Sequence, residues 1–278
     1  LEDLTPLAQR AAIAAVGIPL VVTIVAFGPA WLFTGLVLGL VLIGQWELYR
    51  MFARVGVRAD VGSGLFLGGL VVLAFALDGA TRPWLVPLAL SVAVAGTLAL
   101  GLRRVVGPRL DSAGIALTLL GICYCAWLLG HAIWLRALPH GAGLTLLVLA
   151  VTWCGETAAY FVGRRWGRRK LAPRISPGKT VEGGIAQMLA SVAAGVVAAL
   201  WAPLPGITPL HGLGIGVTLG LLAQLGDLAE SFLKRNAETK DASGLIPGHG
   251  GLLDRLDSLL FNVPALYYYL KVLANTSW

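Results

Sequence analysis

Residues 224–258 read QLGDLAESFLKRNAETKDASGLIPGHGGLLDRLDS. The stretch begins inside an apolar run: residues 212–225 carry no charge, and then Asp227 and Glu230 arrive before the helical pattern has ended. On a helix Asp227, Glu230, Ser231 and Lys234 recur at i, i+3, i+4 and i+7, which is one face. An ionisable group at membrane depth costs roughly 2.5–3.5 kcal/mol on insertion scales, so such a face marks a functional site. Lys234, Arg235 and Lys240 follow, then a connector rich in glycine (SGLIPGHGG), then a second acidic pair, Asp254 and Asp257, again at i, i+3. Two carboxylate pairs joined by a basic, glycine-rich loop offer oxygen ligands for a hard cation such as Mg²⁺, with the loop available to phosphate.

The rest of the chain says where this face sits. Of 278 residues, 57% are hydrophobic and 13% are charged, and the mean hydropathy is +0.81. Soluble domains carry about 25% charged residues, so the composition is that of an integral membrane protein. The net charge of +7 does not indicate nucleic-acid binding, because the basic residues are segregated into connectors between apolar runs. Cys123, Cys125 and Cys154 all lie in apolar segments without zinc or disulfide spacing, and read as small buried hydrophobes. The first apolar run has the length of a membrane span, and no cleavable signal pattern is present.

Nine apolar segments are long enough, or nearly so, for a hydrocarbon core that needs about 20 helical residues. They cover roughly 9–28, 30–50, 62–78, 83–102, 112–136, 141–163, 183–202, 209–233 and 258–275. The third is short, and the ninth contains Asn262, Pro264 and Lys271. With the N-terminus in the cytoplasm, eighteen of the 21 Lys and Arg residues fall on cytoplasmic connectors, the bias expected of an inner, positively charged side. The predicted fold is therefore all-α and polytopic, with nine spans. Residues 1–110 form N-terminal transmembrane helices. Residues 111–278 form a catalytic region with cytoplasmic loops at 164–182 and 234–257. Glu47, beside Trp46 and Tyr49 at a helix end, reads as an interfacial residue.

A second constellation closes the sixth segment. There the chain reads WCGETAAYFVGRRWGRRK and continues LAPRISPGKTVEGG. Glu156 lies in an apolar run, with Tyr160 and Gly163 on its face at i+4 and i+7. Seven basic residues crowd positions 164–179. Positive-inside anchoring and attraction to anionic headgroups explain part of that crowding. Ser176, Lys179 and Thr180 at a helix start add hydroxyls, an ammonium and backbone N–H groups, the makings of an anion site. The Walker spacing is absent and no strand is expected before it.

Both elements resemble the CTP:phosphatidate cytidylyltransferases (CDP-diacylglycerol synthases). Ser231-Phe232-Leu233-Lys234-Arg235, Lys240-Asp241, Ile246-Pro247-Gly248-His249-Gly250-Gly251 and Asp254-Arg255-Leu256-Asp257 match that family's signature without gaps over 27 residues. The family's acidic-x-x-Ala-Tyr-x-x-Gly-Arg and Ser-Pro-x-Lys-Thr-x-Glu-Gly elements are matched at 156–164 and 176–183, with Glu156 where Asp is expected. The resemblance covers roughly residues 150–275; the first 110 match only as membrane helices.

The resemblance implies transfer of CMP from CTP to phosphatidate, giving CDP-diacylglycerol and pyrophosphate. It places the reaction on the cytoplasmic face of a bacterial inner membrane. It implies Mg²⁺ on Asp227 and Asp254, with Asp257, Asp241 or Glu156 completing the shell and room for a second cation. Lys234, Arg235 and Lys240 would hold the triphosphate or the lipid phosphate. Arg255 would brace the carboxylates. Ser176, Lys179, Thr180 and His249 would contact substrate. The partners implied are CTP, phosphatidate and the bilayer, and glycine-rich helices make a homodimer a candidate state. Two rivals stand beside this reading: a CTP-dependent enzyme with another lipid acceptor, and a cation-coupled transporter with intramembrane carboxylates. Against the transporter, the acidic residues cluster near helix ends and no internal repeat relates two halves.

Overall fold

The computed structural model describes residues 6–78, 82–103, 112–201, 204, 206–245 and 250–272, with side chains from residue 15 onward except that of residue 103. Helices account for most of it. α1 (Pro6–Phe27), α2 (Ala30–Ala53), α3 (Val61–Leu77) and α4 (Leu85–Arg103) come first. α5 (Ser112–Gly121) continues through a π-helical turn, Ile122–Trp127, into α6 (Leu128–Ala137). Then follow α7 (Gly141–Trp166), strands β1 (Lys170–Ala172) and β2 (Ser176–Thr180), α8 (Val181–Trp201), α9 (Pro209–Asn236) and α10 (Leu253–Val272). Each of the nine apolar segments corresponds to a helix, the fifth being α5, the π turn and α6 together. Among the described residues, six of these segments are long and apolar enough to cross a membrane: α2, α4, the α5–α6 run, α7, α8 and α9. The chain is thus a multi-pass, all-α membrane protein.

One expectation needs correction. Residues 164–182 are not simply a loop: β1 and β2 pair antiparallel, with Lys170 opposite Thr180 and Ala172 opposite Ser176. The reason is local. Gly167 ends α7, its N–H donating to the Gly163 carbonyl, and its extended ψ of 120° redirects the chain. The Glu182 carboxylate then accepts from the backbone N–H groups of Arg168 and Arg169 at 3.1 and 3.3 Å, which fixes the returning strand beside the outgoing one.

The chain divides into two compact units. Unit 1 comprises Leu1–Ile24, Gly28–Trp134 and Asn236–Arg255. In it α3 packs against α2, α4 and the π turn. A buried polar thread crosses these helices. Gln45 Nε2 donates to the Tyr49 hydroxyl (3.0 Å) and to the Gly64 carbonyl (3.1 Å), and Tyr49 donates to the Thr118 carbonyl at 2.8 Å. In a low-dielectric interior each such polar atom needs a partner, so the thread fixes the helix order.

Unit 2 comprises Val25–Phe27, Leu135–Arg235 and Leu256–Trp278. Its largest helix pair is α7 with α8. α8 meets α9 backbone to backbone: a Cβ added at Gly195 or Gly212 would overlap the other residue's carbonyl oxygen, and one at Gly216 would overlap Val192. Small residues permit this approach where apolar burial supplies little driving force between helices. α10 runs through Pro264, and Asn262 donates to the Thr152 hydroxyl on α7 at 2.8 Å.

Candidate active site

In unit 2, the helical spacing noted for α9 takes effect. Asp227 and Glu230, one turn apart, meet Asp257 of α10, and one oxygen from each lies within 4.8 Å of the others. Gly226 makes this meeting possible, because a side chain there would strike the Asp257 carbonyl oxygen and the Phe261 ring. Asp257 is held from its own side, its Oδ1 accepting the Ser258 N–H at 2.6 Å. Ser258 Oγ in turn donates to the Ala223 carbonyl of α9. Glu156 of α7 is near enough to Asp257 for their charges to repel.

Lysines offset part of this charge. Lys179 Nζ lies 2.6 Å from Asp227 Oδ2, and Lys234 Nζ lies 2.8 Å from Glu230 Oε2. Ser231 Oγ is 3.5 Å from Asp227 Oδ1. Arg235 Nε donates to the Ile175 carbonyl at 3.0 Å, tying the end of α9 to the hairpin. The donors of Asp227, Glu230 and Asp257 are all oxygen, the set a hard cation takes. These three residues would supply part of such a cation's shell.

The neighbouring phosphate candidates are differently disposed. Ser176 and Lys179 are half-buried on β2, whereas Thr180 is buried. Thr180 Oγ1 accepts the Gly183 N–H at 3.1 Å and so caps α8. One lone pair of its hydroxyl is thereby engaged, and the start of α8 carries the Glu182 carboxylate as well.

In unit 1, Asp254 accepts backbone N–H bonds from Ala242 (3.1 Å) and Gly251 (2.7 Å), closing the 242–251 connector upon the start of α10. Lys240, Asp241 and Arg255 are exposed. His249 lies outside the described residues.

Glu47 departs from its expected place. It is not interfacial but fully buried. Its carboxylate accepts the Ser243 hydroxyl and the N–H groups of Leu252 (3.0 Å) and Leu253 (2.7 Å). Sequence gave no reason to pair position 47 with 243–253, about two hundred residues away. Glu230 was legible, since it shares the Asp227 face at i+3.

Comparison with known proteins bears on the family of the chain. A sequence model of the cytidylyltransferase family matches residues 8–273. The chain is 30% identical to the phosphatidate cytidylyltransferase of Synechocystis sp. over 95% of its own length and 97% of that protein's. It is 46% identical to the phosphatidate cytidylyltransferase of Bacillus subtilis over 132 residues, 47% of this chain and 49% of that one. It is also 40% identical to the uncharacterized protein YnbB of Escherichia coli over 151 residues, 51% of this chain and 49% of that one. The last two alignments thus span about half of each relative, whereas the first spans nearly all. With Asp227, Glu230, Asp257 and Lys179 gathered at one place and the match running almost end to end, this chain belongs to the cytidylyltransferase family, which sets the transporter alternative aside.

Proposed function

We propose that this chain transfers CMP from CTP to phosphatidate, releasing pyrophosphate and forming CDP-diacylglycerol. The observation that carries the reading is the Asp227–Glu230–Asp257 cluster with Lys179 against it, in a chain whose full-length relative is a phosphatidate cytidylyltransferase. An oxygen of the lipid phosphate attacks the α-phosphorus of CTP. The new P–O bond forms as the bond from the α-phosphorus to the bridging oxygen breaks, and that oxygen leaves with pyrophosphate. The nucleophile is already an anion, so the chain needs no strong base. What it must supply is positive charge and alignment for two polyanions.

Asp227, Glu230 and Asp257 would hold Mg²⁺, which when bound would neutralise phosphate charge. Lys179 and Lys234, now on their carboxylates, would turn toward phosphate oxygens of the substrate. Arg235 keeps the hairpin in register with α9, so that Lys179 stays in reach. The proposal includes nine spans with the N-terminus in the cytoplasm of a bacterial cell. The hairpin and the 234–257 connector then share the inner face of the cytoplasmic membrane, where CTP is found. Any homodimer uses faces other than Gly195, Gly212 and Gly216, which are occupied within the protomer.

The test is pyrophosphate release by the purified protein in detergent with CTP and Mg²⁺, with and without phosphatidate. Release that requires lipid and metal, and is lost in Asp227→Asn and Asp257→Asn, is expected. Release with a different lipid acceptor would keep the site and change the substrate. No release from folded protein with any lipid would refute the reading.

A further inference from the structure

A cavity of about 520 Å³ lies in unit 1, between the end of α2 and the connector that follows α9, and shares no residue with the carboxylate cluster. Trp46, Arg50 and Arg54 line it from the helix, and Ser243, Gly244 and Leu245 line it from the connector. Its size falls within the range of about 300–1,000 Å³ typical of small-molecule sites.

The walls are fixed. Ser243 donates its hydroxyl to buried Glu47 and accepts the Leu245 N–H on the same oxygen at 3.0 Å, so the connector is folded and pinned at this point. Gly244 between them has open space where a Cβ would be, leaving the backbone accessible. On the helix side the Arg50 guanidinium stacks over the Trp46 ring, 4.8 Å from its centroid, which orients its fork.

The charge is not balanced. Arg50 and Arg54 are four residues apart on one helix face, a spacing at which like charges repel. Among the described residues neither has an ion-pair partner, and Glu47, three residues before Arg50, is turned into the interior. Part of the pair's presence follows from the negative end of the α2 dipole. Both arginines are exposed, as that effect asks, and both also border a cavity whose opposite wall is the pinned connector. Two guanidinium forks on one wall suit a phosphate group, which each can grip through two parallel N–H bonds.

We propose that the Trp46–Arg50–Arg54 cavity is a phosphate-binding site, filled by the phosphate of a lipid headgroup or of a soluble nucleotide. Neither arginine belongs to the signature resemblance. The proposal does not depend on the activity proposed above.

The experiment measures thermal stabilisation of the purified protein in detergent by three probes: short-chain phosphatidate, CTP and inorganic phosphate. Wild type is compared with the Arg50→Gln/Arg54→Gln double variant and with an Arg58→Gln control, and pyrophosphate release is followed in parallel. The expected result is stabilisation of wild type and of the control, at least tenfold weaker in apparent affinity in the double variant. Loss confined to phosphatidate identifies a lipid source, and loss confined to CTP or to inorganic phosphate identifies a soluble one. Equal stabilisation of wild type and double variant overturns the proposal, as does equal loss in the control or no stabilisation of wild type by any probe. Unchanged affinities with intact pyrophosphate release would sink this site and leave the activity standing. Arginine-dependent binding without any release would do the reverse.

Discussion

Lys179 reaches from the end of strand β2 of the hairpin to place its ammonium 2.6 Å from an oxygen of Asp227 on α9. Both side chains are partly exposed, and a pair of this kind contributes about 0–1 kcal/mol to stability. Its value is therefore positional. Lys179→Gln is expected to leave the melting temperature within a few degrees of wild type. It should lower kcat of pyrophosphate release by about 10²-fold, the scale of one lost transition-state donor. The half-saturating Mg²⁺ concentration should fall, because a competing cation has gone. A large drop in melting temperature, or a raised Mg²⁺ requirement, would contradict this.

Removing a carboxylate from the cluster should act oppositely on the metal. Asp227→Asn and Asp257→Asn each delete one anionic ligand and relieve repulsion among the rest. Both should fold with unchanged or higher thermal stability, yet lose at least about 10²-fold in rate. Wild type should be stabilised by added Mg²⁺, as any ligand that binds only the folded state requires, and the variants should not. Melting curves with and without the cation decide it.

Gly226→Ala puts a methyl group against the Asp257 carbonyl. Overpacking of this sort costs about 1–3 kcal/mol, and here it pushes α10 away from α9. Stability and activity should fall together, whereas Leu225→Ala on the exposed side of the same turn should leave both nearly unchanged. Parallel melts and release assays on the two variants are the comparison to make.

Glu47→Ala removes the acceptor for one hydroxyl and two backbone N–H groups. Hydrogen bonds to a charged group are worth about 1.5–3 kcal/mol each, and buried donors left unmet add a desolvation penalty. The variant should lose on the order of 3 kcal/mol or more, and the 241–252 connector should become the first site of proteolytic cleavage. Unaltered protease resistance in that connector would speak against the clasp.

How much of this was legible depended on the reach of each interaction. Asp227, Glu230 and Lys234 sit at helical spacing within eight residues, so the sequence alone put them on one face. Asp257 could be matched to them through family resemblance, although only the contact at Gly226 shows why it arrives there. The hairpin at 170–180 was hidden because its strands are short and carry lysine, glycine and proline instead of alternating apolar residues. Glu47 was misjudged because a lone acid at a helix end usually faces water, and its partners lie almost two hundred positions away. The helices themselves needed no tertiary information, since hydropathy over about 20 residues identifies them.

That clasp also sets the terms on which the chain can be cut or recombined. Residues 236–255, which bear much of the recognisable signature, fold with the N-terminal helices and hang on a carboxylate from α2. An N-terminal half that looks interchangeable by sequence is thus a dedicated scaffold. A chimera that borrows its early helices from a relative must bring an acid at position 47 with a serine at 243 and the matching turn. A fragment starting at residue 111 would carry the signature without the anchor that shapes it.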